Sequence, residues 1–436
     1  MRVAMPINWN IDASSLTNIA RHNFREIGKL MNETKSFTIA ATRWESTYVG
    51  DFNQHYDLLH LPNIGGYKFP IQAALNCKNI ILGLSGIDEI IYGKEILVWK
   101  ESWKVVKQLI DQSVEHWKKY INKIKSVYVP AKSELTEMNQ YLSIPIEKMN
   151  VINHGVDHNF FHPASDREQI RKQILTELSI PNQKFFLHVG ENNFIRKNQE
   201  RIGQAFTEAK KLGLKHNLII AGKHYPKIEK KLSKISGIFF LDWVTNEQLL
   251  KLYQSADAFL MPSIHEGFGM PIVESMACGT PAISSNVHAP PEIISDSGIL
   301  VDPYNIQEIS NALLNLALNE PHLDELREKC LKHSMSFSWE KNAKEIFELY
   351  ELDTSKPMKN FETNYERAAY RTLVTVCDLF PHEKQDFINS ILRFDYSLLI
   401  DWAIEYGLKD PMTKDFLIPF EKWLYEKSTK KEFVIK

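Results

Sequence analysis

From residue 185 onward, short apolar runs alternate with polar or amphipathic segments in a regular beat. FFLHV, NLIIA, IFFLD, AFLMPS, PAISS and GILVD each read as a strand, and each is followed by a stretch that suits a helix or a turn. Helix starts are written locally. Thr245 with Gln248 three positions on forms a capping box ahead of Leu249, Leu250 and Tyr253, and Asn305 with Glu308 repeats the device. Continuous apolar strands between helices predict a parallel sheet covered on both faces, and right-handed crossovers make it a doubly wound domain.

The first 155 residues are less regular, yet RVAMP, SFTIAAT, DLLHLP, NIILGL, SVYVP and MNVIN read as strands separated by helical stretches, which predicts a second α/β domain. Its longest helix candidate, residues 96–124, carries Trp99, Trp103 and Trp117 among Lys100, Lys104, Lys107, Lys118, Lys119 and Lys123. That mixture suits an interfacial helix and makes the amino-terminal domain a candidate for peripheral membrane contact; a half-buried surface helix is the alternative. After a polar break at Asp353–Asn360, residues 354–436 read as a helical extension whose core would come from Phe380, Phe387, Leu392, Leu398 and Trp402.

Composition narrows the function classes. Across 436 residues, 52 Lys and Arg face 54 Asp and Glu, a net charge of -2 that provides no global field for nucleic acid. Any anion site must therefore be local. The four cysteines, Cys77, Cys278, Cys330 and Cys377, show no metal-ligand spacing and suit a reducing compartment. The start of the chain lacks the charged and apolar regions of a signal peptide, and no apolar run approaches the roughly 18 to 20 residues of a membrane span. A cytoplasmic protein, soluble or peripheral at the membrane face, is the expectation.

The run MPSIHEGFGMPIVESMACGTP, Met261–Pro281, encodes a strand end, a glycine-rich turn and a helix opening at Pro271, a residue suited to the first helical position. Such a turn aims backbone N–H groups and the positive end of a helix dipole at one spot, and Gly267 and Gly269 let a ligand approach the backbone. Glu266 stands at the entrance of the turn and Glu274 is expected in the first helical turn. Two carboxylates on one helix at that spacing would lie about 12 Å apart, too far for a glycosidase pair. Hydrogen bonding to hydroxyls of a sugar and a ribose fits them better. Cations for a diphosphate are expected from Arg196 and Lys197, which follow the first strand of the same domain and should face the same crevice.

Absences discriminate too. Gly267, Gly269 and Ile272 break the G-x-G-x-x-G pattern at its third position, and the chain contains neither GxxxxGK[ST] nor an Asp-x-Asp pair. Dinucleotide redox chemistry, P-loop hydrolysis and a metal-clamped diphosphate lose ground, so the sequence predicts no metal and no cofactor. The leaving diphosphate would be stabilised by Arg196, Lys197 and backbone amides.

The run FLDWVTNEQLLKLYQSADAFLMPSIHEGFGMPIVESMACGTPAIS resembles the donor-site core of the GT-B retaining glycosyltransferases of family 4. Glu266 to Glu274 reproduces that family's E-x7-E motif, and the likeness extends through VINHGVDHNFFHP, FLHVGENNFIRKN, PPEIISDSGILVDP and FSWEKNAKEIFELYE, residues 150–352. The resemblance implies an α/β GT-B fold of two Rossmann-like doubly wound domains: an acceptor-side domain at 1–157, a nucleotide-sugar domain at 158–336, a helix crossing back at 337–353, and the helical extension at 354–436. It implies transfer of a sugar, with retention, from a nucleotide-diphosphate sugar to a hydroxyl of a glycan, lipid-linked or protein acceptor. Glu266 would bind the donor sugar and assist at the anomeric centre, and Glu274 the ribose. Gly190, Gly267 and Phe268, Gly269, Met270 and Pro271 would line the donor, with Arg196 and Lys197 as the family's basic pair.

In the nucleotide-sugar domain, Glu191 stands where relatives often have Arg; the other departures lie in the amino-terminal half, where NWNIDASS replaces the family's Gly-Gly loop and Ser85 in LGLSGIDE takes the place of a histidine. Ser85 and His60 in DLLHLP are the acceptor-side candidates, although a lone strand-end histidine is more often structural. The mechanism implied is attack on the face from which the diphosphate leaves, without a protein nucleophile. The alternative reading is a nucleotide-sugar-binding or scaffold protein with a degenerate acceptor side. A sugar phosphorylase would need a pyridoxal-bearing lysine and a longer chain.

Overall fold

A computed structural model describes residues 79–93, 103–190, 195–222 and 226–350 without a break, together with 2–6, 38–42, 58–65 and isolated positions in the first 78. The expected extension at 354–436, the NWNIDASS segment, Glu191, Trp99 and Cys377 lie outside the described residues. Contacts divide the chain into two compact units: Met1–Asn63, Gln72–Ile80 and Tyr350–Lys436 form one, and Ile64–Ile71 and Ile81–Leu349 the other.

In the first unit, β1 (Arg2–Pro6) pairs in parallel with β2 (Thr38–Thr42) and with Leu58 and Leu59 of β3 (Leu58–Gly65), whose last two residues belong to the second unit. His60 on β3 is fully buried. Its Nδ1 lies 2.9 Å from the Tyr350 hydroxyl and the two rings meet edge to face at 5.8 Å. Burial lowers its pKa to about 3, so the imidazole is neutral. The geometry is that of a core histidine with a hydrogen-bonded partner.

After Ile64–Ile71, the second unit contains β4 (Ile80–Ser85, all but its first residue), α1 (Asp88–Tyr92), α2 (Trp103–Tyr120), β5 (Ser126–Val129), α3 (Lys132–Leu142) and β6 (Met149–Val151). β4 pairs with β5 and β5 with β6, all in parallel. Helix α2 is amphipathic: Ile110, Ser113, Trp117 and Ile121 just beyond it are buried while Lys107, Lys118 and Lys119 are exposed. Trp117 is thus a core residue and not part of an interfacial belt. Among the described residues no helix is long and apolar enough to cross a membrane.

The remainder alternates with few exceptions: α4 (Arg167–Glu177), β7 (Phe185–Val189), α5 (Gln199–Lys211), β8 (Asn217–Ala221), α6 (Pro226–Leu232), β9 (Ile238–Leu241), α7 (Asn246–Ser255), β10 (Ala258–Met261), α8 (Met270–Ala277), β11 (Ala282–Ser285), α9 (Pro290–Ile294), β12 (Ile299–Val301), α10 (Ile306–Leu318), α11 (Glu320–Ser334) and α12 (Trp339–Glu348). The six strands form one parallel sheet in the order β12-β11-β10-β7-β8-β9. Successive side chains leave a strand on opposite faces. Accordingly Phe185, Leu187, Phe259 and Met261 enter one core, with Ile272 and Met276 of α8, while Phe186, Ala258 and Leu260 enter the other, with Phe206 of α5 and Leu313 of α10. The Thr245 box forms as written: its hydroxyl accepts from Gln248 N at 3.2 Å and Gln248 Oε1 accepts from Thr245 N at 2.9 Å. Asn305 accepts from Glu308 N at 3.1 Å.

This strand order fixes where a ligand belongs. The chain runs outward from β7 through β8 to β9, then returns to lay β10 on the other side of β7. Ligands of open parallel sheets bind beyond the carboxyl ends of the strands at that reversal. The turn after β7 carries Arg196 and Lys197, and the turn after β10 carries Glu266, so residues about seventy positions apart meet at one crevice.

Candidate functional site

The loop from β10 to α8 is pinned at nearly every residue. Ile264 N donates to Arg196 O at 2.7 Å, Arg196 Nη1 to His265 O at 3.3 Å, and Ala289 N to Glu266 O at 3.3 Å. Gly269 then adopts φ +95°, a left-handed value open to glycine, and serves as the N-cap of α8. The helix begins at Met270, so Pro271 occupies its second position and Glu274 its fifth, past the first turn where the spacing had placed it. Phe268 turns inward against His154 and Phe337, at centroid distances of 5.0 and 5.8 Å. Its side chain is spent on packing, and only its backbone is left to serve a ligand.

Glu266 is buried, and its Oε1 accepts from Lys197 Nζ at 2.7 Å and from Arg196 Nη1 at 3.1 Å. Burial alone would raise the carboxyl pKa, but the Lys197 and Arg196 charges outweigh it and hold the group at about 2. Burial also lowers the Lys197 ammonium, against the pull of Glu266. Gly190 lies over the Lys197 chain, where a Cβ would stand 3.6 Å from Cδ and Cε. Arg196 Nε pairs in addition with Asp88 of α1 at 3.4 Å. The expected convergence of the acidic and basic groups is therefore present, and they grip one another directly.

Glu274 is half-buried on α8 and accepts from the Tyr253 hydroxyl at 3.1 Å. Burial raises its pKa to about 7, with the Tyr253 hydrogen bond opposing. Gly267, Met270 and Pro271 are likewise half-buried along the same edge. Ser85 ends β4 next to Gly86, whose N–H donates to Glu134 Oε1 at 2.9 Å.

Glu134 was not legible as a site residue. It lies in the first turn of α3, fully buried, with Oε2 unpartnered, and a Cβ on Gly267 would come within 2.1 Å of its Oε1. Burial raises its pKa to about 8, only partly offset by the Gly86 hydrogen bond, so the carboxyl is largely protonated at neutral pH. Glu137, one turn on, bridges two imidazoles: Oε2 lies 3.1 Å from His265 Nε2 and Oε1 2.6 Å from His288 Nδ1. His288 Nε2 meets the Tyr92 hydroxyl at 2.7 Å. The available signal was a pair of carboxylates three apart on what proves to be the buried face of α3, where an amphipathic helix would carry apolar side chains.

Two predictions arise here. Gly267→Ala would push Glu134 off the Gly86 amide and cost on the order of 1–3 kcal/mol. In a Glu134→Ala background the same substitution should cost little, so urea unfolding of the four proteins should be strongly non-additive; additive losses would contradict the contact. The second concerns pH. Glu134 and Glu274 hold protons when folded that the unfolded chain releases near pH 4.5, so each removes stability as pH rises to its folded value, at about 1.4 kcal/mol per pH unit. The buried neutral His60, His154 and His188, lowered by burial to about 3, 3 and 4, act oppositely below their unfolded pKa near 6.5. Stability should therefore peak near pH 6.5 and fall toward pH 8, and Glu134→Gln should flatten that fall. An unchanged profile in Glu134→Gln would refute the assignment.

Comparisons with known proteins bear on this geometry. Residues 166–334 match the family glycosyl transferases group 1. That stretch spans α4 to α11 and contains Arg196, Lys197, Glu266 and Glu274. A serotype-specific mannosyltransferase WbdA of Escherichia coli is 26% identical over 314 residues, 69% of this chain and 37% of that protein, so this chain spans little more than a third of it. The MMP alpha-(1->4)-mannosyltransferase of Mycolicibacterium hassiacum is 25% identical over 334 residues, 73% of this chain and 75% of the relative. Among solved structures, Anabaena HepE in complex with UDP and glucose superposes with a TM-score of 0.63 at 14% identity, covering 81% of this chain and 100% of its own. A sucrose-phosphate synthase from Thermosynechococcus elongatus gives 0.61 at 15%, covering 80% and 98%. The fold is thus GT-B, as the sequence resemblance implied.

Proposed function

We propose that this chain is a retaining glycosyltransferase that moves a sugar from a nucleotide-diphosphate sugar to an acceptor hydroxyl in glycan or glycoconjugate synthesis. The observation that carries the reading is the meeting of Lys197 and Arg196 on one oxygen of Glu266, beside the glycine-hinged mouth of α8. Two cations, exposed N–H groups and a helix dipole at one point suit a diphosphate. The Glu266 carboxylate, kept ionised, suits the hydroxyls and the developing positive charge of the sugar. Glu274 suits the ribose diol. Because the basic pair supplies the leaving-group charge, the transfer chemistry needs no metal on the phosphates, and retention follows if the acceptor attacks on the face from which the diphosphate departs. The named relatives make mannose the first sugar to test.

Turnover tests the reading: incubation with UDP- and GDP-linked glucose and mannose and a set of glycan acceptors should release nucleoside diphosphate in step with acceptor consumption. Nucleotide-sugar binding without release, across acceptors, would favour a binding protein and overturn the transferase reading.

A further inference from the structure

The side chains of Glu137, His265 and His288 converge on one point. The three side chains come from different elements, α3, the β10–α8 loop and the β11–α9 loop, and their ligand atoms lie within 4.8 Å of one another. His265 is buried, Glu137 nearly so, and the imidazole rings are 4.3 Å apart at a tilt of 57°. His288 is held at φ +60°, a left-handed value that a side chain of this kind adopts only when its surroundings impose it.

The Tyr92 hydroxyl holds the outer side of the His288 ring, 2.7 Å from Nε2 and 3.3 Å from Ile264 O. The inner nitrogen, Nδ1, faces the Glu137 carboxylate at 2.6 Å. A fixed outer contact on the far nitrogen of an imidazole is how metal-binding histidines are oriented.

We propose that Glu137, His265 and His288 form a binding site for one borderline divalent cation of the zinc class. Two imidazoles and one carboxylate match such ions, whereas magnesium and calcium prefer all-oxygen sets. Binding replaces the protons shared among the three side chains by the metal and releases them to solvent. Because His265 adjoins Glu266, the ion would brace the loop; no step of sugar transfer is routed through it, and the site stands or falls independently of the proposed function.

The test uses the full chain, stripped with a chelator and titrated with cobalt(II) and with zinc chloride. The proposal expects one cobalt per chain with the strong visible bands of a low-coordinate ion, and zinc displacing it at equal stoichiometry. His288→Gly, which suits the backbone angle and keeps all four cysteines, should lose the bands and weaken binding at least about tenfold. Tyr92→Phe should weaken it by about 10–100-fold with the ligands intact. If the wild-type chain shows no such bands, or if His288→Gly and His265→Asn bind as tightly as wild type, the proposal is overturned and the cluster is a proton-shared network only.

Discussion

Glu266→Ala is expected to abolish nucleoside-diphosphate release, by at least about 10²–10³-fold in kcat, the scale on which removal of one preorganised charge-stabilising group acts. The variant loses the group placed for the anomeric centre and also leaves Lys197 buried without its partner. Breaking a buried pair costs on the order of 3–5 kcal/mol. The change therefore carries a stability loss as well, and the Lys197 ammonium, already lowered by burial, would escape by shedding its proton. Glu266→Gln separates the two effects: it retains an acceptor for Lys197 Nζ while removing the charge, so it should fold with a smaller loss and still fail to turn over. Lys197→Ala leaves Glu266 paired with Arg196 and should lose turnover with milder destabilisation. Near-normal rates in Glu266→Gln or Lys197→Ala, measured on protein shown to be folded, would contradict the roles given to them.

The second large effect lies beneath the loop. A Cβ on Gly155 would stand 2.2 Å from Trp339 N and 2.5 Å from Ser338 C, and both are backbone atoms with nowhere to go. Val156 N donates to Phe337 O at 3.2 Å, Val156 and Ser338 form a β-bridge, and Asn342 Nδ2 donates to Asn153 O at 2.7 Å. Gly155→Ala must prise this seam apart, so a loss in the upper part of the range for point substitutions, above about 3 kcal/mol, is expected. The seam also floors the β10–α8 loop, because His154 and Phe337 are the rings against which Phe268 packs. Denaturant midpoints should fall sharply in Gly155→Ala and nucleotide-sugar affinity should fall with them; an alanine variant of wild-type stability would show that the approach is looser than described.

Much of this architecture was legible because it is local. All twelve apolar runs coincide with strands, since a buried parallel strand must be continuously apolar, and RVAMP, FFLHV, NLIIA mark their strands to the residue. The glycine-hinged turn, Glu266 and the basic pair were likewise readable, because a turn needing positive φ at Gly269 and a helix start leave marks within a few residues. What escaped is non-local. His60 stays open between an acceptor-side and a structural role until its partner, 290 residues away, is in place. Trp117 stays open between an interfacial and a half-buried surface helix until its burial is seen. Glu134, Glu137 and His288 acquire meaning only when α3 and the β11–α9 loop meet the β10–α8 loop, and no spacing along the chain announces that meeting. Glu274 falls one residue beyond the first turn expected for it because the helix begins at Met270 with Gly269 as its cap, a boundary that propensity alone blurs.

In the proposed function, Lys197 and Arg196, beside the mouth of α8, hold the diphosphate of an activated sugar. Calorimetric titration of wild type and Lys197→Ala with a nucleotide-diphosphate sugar, and separately with the matching unphosphorylated nucleoside, tests it most directly. Lys197→Ala should bind the sugar nucleotide at least about tenfold more weakly, with the nucleoside bound alike by both proteins. Equal affinity of the two proteins for the sugar nucleotide would contradict it.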